Sequence, residues 1–167
     1  MEIDMVTHVE PFVRARSDSW LTSEGPTHKR SLIVEGEQGW IERNGQRKPM
    51  PAAMLAHERA QYAIYGLMRL VSLQDKDASW APGFLPDRLI ARHPLAPETI
   101  LGFDTDARLA WATNRIPAVN GSAIVDQRFE FSGEMENGGV RWPQRLTIAE
   151  GGEPYFDLRL KSFAVQS

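Results

Sequence analysis

The sequence predicts an α+β fold that is mostly antiparallel β-structure. The expected form is an open, unclosed and strongly curved half-barrel of about ten strands, with one main helix at about 51–73 covering its concave face. Three observations carry this expectation. Apolar residues recur with strand parity through most of the chain, and Gly, Pro and Asn-Gly turns separate these runs at short intervals. One long stretch, PMPAAMLAHERAQYAIYGLMRLVSL at 49–73, has helical periodicity instead. At 167 residues the chain suits a single domain over 1–167, long enough to bury a substantial core.

The elements follow in order. Between Ile3 and Leu21 the apolar residues Ile3, Met5, Val9, Phe12 and Trp20 have rough strand parity. Pro11 marks a bend, because proline donates nothing to a ladder. Arg14, Arg16 and Asp18 read as a solvated strand face. SEGPT at 23–27 is a turn. HKRSLIVEG and GWIERN form the next strands, and Asn44-Gly45 is a strong two-residue hairpin signal, since both positions tolerate positive φ.

Pro49 and Pro51 suit the approach to a helix, and Ala-, Leu- and Met-rich content favours that helix from Ala52 to Leu73. Its first half reads as amphipathic, with His57, Glu58, Arg59 and Gln61 exposed. From Tyr62 to Leu73 only Gly66, Arg69 and Ser72 interrupt apolar residues, so that half is expected to be deeply buried. After the turn-rich QDKDASWAPGFLPD the strands resume at 88–94, 98–104 and 109–115. In a further strand at 123–132, Gln127, Phe129 and Phe131 alternate with Asp126, Arg128, Glu130 and Ser132, the period of a sheet with one dry face. ENGG and Gly151-Gly152 then turn the chain through a closing antiparallel meander.

Composition excludes several classes of function. Net charge is -3, with basic and acidic residues interleaved, so a nucleic-acid partner is not expected. The absence of cysteine removes disulfides, thiolate nucleophiles and Cys-type zinc sites. His57-Glu58 resembles the start of a zinc-protease helix, but the residue four beyond His57 is Gln61, so the second ligand is missing. The other histidines, His8, His28 and His93, lie in separate elements. No nucleophile elbow, P-loop or dinucleotide motif occurs, and the acidic pairs Asp104/Asp106 and Glu134/Glu136 sit at turns. Neither catalytic residues nor a metal or other cofactor are expected.

Three stretches, GWIERNGQRKPMP leading into the helix, ILGFDTDARLAW, and the final hairpins FEFSGEMENGGVRWPQRLTIAEGGEPYFDLRL, together resemble the LolA-like superfamily of bacterial envelope proteins. These include the periplasmic lipoprotein carrier. The resemblance covers most of the chain from about residue 28 onward. It implies an unclosed barrel whose helix-covered concave side holds a lipid or other hydrophobic ligand. It also implies a periplasmic or outer-membrane-associated location after removal of a signal peptide, and peripheral contact with the membrane or with envelope proteins. The chain departs from the carrier in having one strong helix and no long first helix.

The expected function is therefore non-enzymatic binding of a hydrophobic small molecule or lipid. Trp40, Tyr62, Tyr65, Met68, Arg69, Trp111 and Phe129 are the expected ligand contacts, since aromatic and Met side chains line adaptable apolar pockets. Arg69, a cation within the apolar half of the helix, is expected to reach the rim, pair with an acid or meet an anionic head group. An enzyme acting on a small apolar substrate in the same cavity, and an interaction module with a filled core, are the two rival readings.

Overall fold

The structure is a computed structural model that describes residues 2–166. It is mostly antiparallel β with one α-helix, in sheets that do not close, as the sequence predicts. The chain forms two compact units, one of Met1–Ser72 with Pro117–Ile124 and the other of Leu73–Ile116 with Val125–Ser167.

The first unit holds a five-stranded meander of β1 (Ile3–Glu10), β2 (Arg14–Leu21), β3 (Arg30–Glu35), β4 (Gln38–Arg43) and β5 (Gln46–Pro49), followed by α1 (Ala52–Leu67). Asn44 and Gly45 both have positive φ, at 51° and 74°, and join Arg43 directly to Gln46 in the register their pairing requires. Strand alternation gives this sheet two different faces. Ala15 pairs with Val34, and Val34 with Gly39, on the face where Gly39 meets Leu55 of α1. Asp18 pairs with Ser31, and Ile33 with Trp40, on the opposite face.

The helix is shorter than expected. It ends at Leu67 because the backbone turns left-handed at Leu70 (φ 61°), while the Ser72 hydroxyl donates to the Gly66 carbonyl at 2.9 Å and satisfies a group the helix leaves open. Arg69 therefore lies beyond the helix, and as an exposed residue it reaches solvent without having to cross a buried half-helix. Ile64 and Leu67 are each 1% exposed, and burying each contributes roughly 1.5–3 kcal/mol before conformational entropy is counted. Phe12 closes the same layer from the β1–β2 turn. It adopts positive φ (64°), unfavourable for a bulky residue, and places its ring over Gly66, where an added Cβ would lie 2.3 Å from Cζ.

The outer face of the five-stranded sheet carries an ion-pair network. Asp18 bonds Arg16 at 2.9 Å and Lys29 at 2.7 Å, and Arg16 reaches Ser31 at 3.2 Å and Glu42 at 3.3 Å. The solvated strand face of the sequence reading is thus an organised network. Burial pushes the Asp18 carboxyl upward, but hydrogen bonds from Lys29, Ser31 and Arg16 outweigh it and hold the group below the ordinary carboxylate value.

Apart from Pro117 and Ile124 at strand ends, the second unit contains β6 (Ser79–Pro82), β7 (Arg88–His93), β8 (Ala96–Phe103), β9 (Leu109–Pro117), β10 (Ile124–Ser132), β11 (Met135–Asn137), β12 (Val140–Trp142), β13 (Arg145–Glu150) and β14 (Glu153–Arg159). Seven of these form an antiparallel sheet in the order β14-β13-β10-β9-β8-β7-β6, while β11 and β12 pair as a ribbon. The expected alternation in β10 is present, with Gln127, Phe129 and Phe131 buried and their neighbours exposed. Leu101, Ala112, Ile116, Leu146 and Ile148 extend the dry surface across β8, β9 and β13. About ten strands were expected, whereas the described residues contain fourteen. β6 lies inside a stretch read as loop, Pro143 separates β12 from β13, and β5 and β11 are short pieces beside turns.

Two outcomes are expected. Gly66→Ala in a helix would ordinarily stabilise by up to about 1 kcal/mol. Here the clash with Phe12 is expected to win, with a net loss of about 1–2 kcal/mol in denaturant unfolding, whereas in a Phe12→Gly background the same change becomes neutral or stabilising. Because the folded-state value of Asp18 is depressed, its stabilisation is complete above its unfolded value of about 3.9 and is lost as pH falls through the lower folded value. Between about pH 5 and pH 2 the thermal midpoint of the wild type is therefore expected to fall further than that of Asp18→Asn, and parallel curves would contradict the assignment.

Candidate functional site

Glu58, Tyr62 and Tyr65 stand at i, i+4 and i+7 of α1 and so share one face. The sheet lies under that face. The Tyr62 hydroxyl and Ser17 Oγ share a hydrogen bond of 2.7 Å, and Ser17 Oγ shares another with Thr7 Oγ1 at 2.9 Å, a row of hydroxyls from the helix across β2 to β1. The Tyr62 and Tyr65 rings lie 6.1 Å apart at a tilt of 36°, within the range of favourable aromatic pairs. Burial pushes the Tyr65 phenol up to about 12, and the negative charge of Glu58 adds to that rise. Tyr65 is intermediate in exposure as a whole residue, so the dehydration acts on its hydroxyl end.

His57 and Glu58 correct the sequence reading, which placed both on the wet side of the helix. His57 is fully buried and Glu58 is 5% exposed. For His57 the reason is a segment distant in sequence. Residues 117–124 lie against the start of α1, where His57 Nδ1 lies 2.9 Å from the Pro117 carbonyl and Gly121 approaches Ala53. A carbonyl only accepts, so Nδ1 carries the proton, and in the neutral ring Nε2 is the acceptor nitrogen.

The other expected contacts do not all gather here. Met68 caps the end of α1, donating its backbone N–H to Ile64 at 2.8 Å, and Arg69 follows it into solvent. Trp40 sits on the sheet face opposite the helix, with the Arg47 guanidinium 4.1 Å from its ring centroid. Trp111 and Phe129 belong to the second unit and to opposite faces of its sheet. Phe129 is fully enclosed, paired with Ile148 and stacked on Phe131 at 6.3 Å. Trp111 lies across Gly102, so close that a Cβ there would fall 1.9 Å from the indole. The Arg88 and Arg128 guanidiniums lie 5.1 and 5.0 Å from its ring.

Beside Trp111 opens a groove of about 310 Å³ lined by Arg128, Glu130, Arg145 and Thr147 among others. Arg145 is held by Asp157 at 2.9 and 2.7 Å, and Arg128 by Glu130 at 3.0 Å. A lining of paired charges beside one indole suits a polar or ionic group better than an acyl chain. Among the described residues no three His, Asp or Glu side chains are grouped as a metal site requires. Ser17, Thr7 and Glu58 were missed as members of the polar-tipped cluster. Only the Glu58, Tyr62, Tyr65 spacing signalled it in the sequence.

Compared with models of protein families, with characterised proteins and with solved structures, the chain matches none.

The coupling between Glu58 and Tyr65 is directly measurable. Of the three tyrosines, one is expected to titrate near 12 by ultraviolet absorbance, and Glu58→Gln is expected to lower that value while leaving it above the ordinary tyrosine range. An unchanged titration in Glu58→Gln would contradict the proximity of the two groups.

Proposed function

We propose that the protein binds or carries a lipid or other hydrophobic ligand without chemically changing it. We further propose that it does so in the bacterial envelope, with an open sheet of the LolA-like type that α1 covers on one face. The observation that carries the reading is the sheet-facing side of α1. Tyr62 and Tyr65 place two amphipathic rings side by side there, with Tyr62 hydrogen-bonded at its hydroxyl and Tyr65 dehydrated at its own. Apolar ring bodies beside a few fixed polar tips are the composition of sites that hold amphiphiles, because the rings cover the chain and the tips orient a head group. Met68, next to this face, is the flexible kind of side chain that adapts to such ligands.

A second reading is favoured by one specific observation. Glu58 and His57 are buried, and the Tyr65 hydroxyl beside Glu58 has a strongly raised value, a pattern that also occurs at catalytic centres. In that reading an apolar substrate is bound in the same place and Glu58 takes part in proton transfer.

One experiment separates them. Protein purified from a bacterial host is incubated with a phospholipid and a fatty acid and analysed by native mass spectrometry, and the bound molecules are then released and identified. The binder reading expects unchanged lipid in wild type and in Glu58→Gln. It expects retention at least about tenfold lower in Tyr62→Ala/Tyr65→Ala, with smaller loss in the matching Phe variants. Products that appear with wild type and vanish with Glu58→Gln would favour the enzyme. Absence of bound lipid in every case would sink both.

A further inference from the structure

We infer that the β6–β7 hairpin tip, Pro82–Asp87, docks on the surface of a lipid bilayer by inserting Phe84 and Leu85, with Trp80 at head-group depth. The inference rests on the lipid-binder reading, to which it adds the surface on which such a protein meets its lipid. Phe84 is 100% exposed, Leu85 43% and Trp80 59%. A phenylalanine in full contact with water forfeits all of its transfer free energy, so its place at a hairpin tip calls for an occupant.

Three features select a bilayer over a protein. The first is size. Three such side chains present on the order of 400 Å², about half of the roughly 800 Å² that each partner contributes to a standard protein interface. A bilayer needs no complementary pocket. The second is the backbone, since groups entering lipid lose their water and several at this tip are already paired or lack an N–H. Pro82 and Pro86 have no N–H, the Gly83 N–H donates to the Arg88 carbonyl at 3.0 Å, and the Arg88 N–H donates to the Leu85 carbonyl at 3.3 Å. At the base, the Asp87 carbonyl accepts from the Phe103 N–H at 2.8 Å, tying the tip to β8. The third is the placement of Trp80. It lies two residues behind Pro82, about 7 Å along the strand, which matches the depth between the acyl boundary and the head groups where indoles concentrate.

Charge sets the kind of membrane. Arg88 is paired with Asp87 at 3.0 Å, so the tip brings no net charge. Docking is therefore hydrophobic, it works on zwitterionic lipid, and it resists salt.

The test uses the full chain and phosphatidylcholine vesicles. The absence of native cysteine allows Leu85→Cys to carry a single environment-sensitive fluorophore, with Asn120→Cys as the control on another exposed turn. Vesicles are expected to brighten and blue-shift the probe at 85 and leave the probe at 120 unchanged. In co-sedimentation, Phe84→Asp is expected to lower vesicle binding at least about tenfold with no change in thermal midpoint. About 0.5 M salt is expected to leave wild-type binding intact. Equal sedimentation of wild type and Phe84→Asp would overturn the inference, as would binding confined to anionic vesicles and lost in salt. So would a wild-type dimer in sedimentation velocity that Phe84→Asp converts to monomer, since that makes a second copy the occupant. Native mass spectrometry of Phe84→Asp separates this inference from the binder reading. Retained lipid with lost vesicle binding supports the tip, whereas lost lipid with intact vesicle binding rejects the tip and leaves the site in α1 to be judged by its own variants.

Discussion

The first unit depends on how closely α1 can approach the five-stranded sheet. Two glycines set that distance. At Gly39 a Cβ would fall 2.7 Å from Leu55, and at Gly66 it would fall 2.3 Å from Phe12. One glycine is on the sheet and meets the start of the helix, and the other is on the helix and meets the β1–β2 turn. With both contacts in place, Ile64 and Leu67 are dehydrated and Tyr62 reaches Ser17. Any side chain at either glycine would require a neighbour to move, and the neighbours are themselves packed. The positive φ of Phe12 is tolerated because its ring fills the space that Gly66 leaves open.

That close approach has a chemical consequence. It brings polar atoms of the helix into a layer that is otherwise apolar, where each needs a partner. Tyr62 finds one in Ser17, and His57 finds one in the Pro117 carbonyl. Glu58, nearly buried, acts on the Tyr65 phenol through its charge. Aliphatic residues at these positions would give a simpler core. The presence of two tyrosines and an acid on one helix face is the feature that a purely structural helix leaves unexplained, and it is the basis of the proposed ligand site. The groove beside Trp111 differs in kind, because its arginines are already paired, Arg128 with Glu130 on its own strand and Arg145 with Asp157 on the neighbouring one.

Local signals were legible in the sequence, and contacts between distant segments were not. Alternation alone identified the dry face of β10, and Asn44-Gly45 fixed a hairpin, because both depend on residues within a few positions of one another. The helix start was legible from Pro49 and Pro51. Its end was not, since Leu70 and Ser72 look like continuing helix until the hydroxyl of Ser72 is seen to take the Gly66 carbonyl. His57 and Glu58 read as wet because polar residues on a helix usually are. For His57 the packing of residues 117–124, some sixty positions away, reverses that expectation, and Glu58 stands on the face of α1 that the sheet covers. Trp40 was grouped with the tyrosines by residue type, yet one step of strand parity puts it on the other face of its sheet.

In the function we propose, a hydrophobic ligand lies on the tyrosine face of α1. The most direct measurement is photolabelling with a fatty acid carrying a diazirine near the end of its chain, followed by peptide mapping of the covalent adducts. Labels concentrated between residues 52 and 68, competed by unlabelled fatty acid, are expected. Labelling that is absent, is not competed, or is confined to the hairpin at residues 82–87 would contradict it.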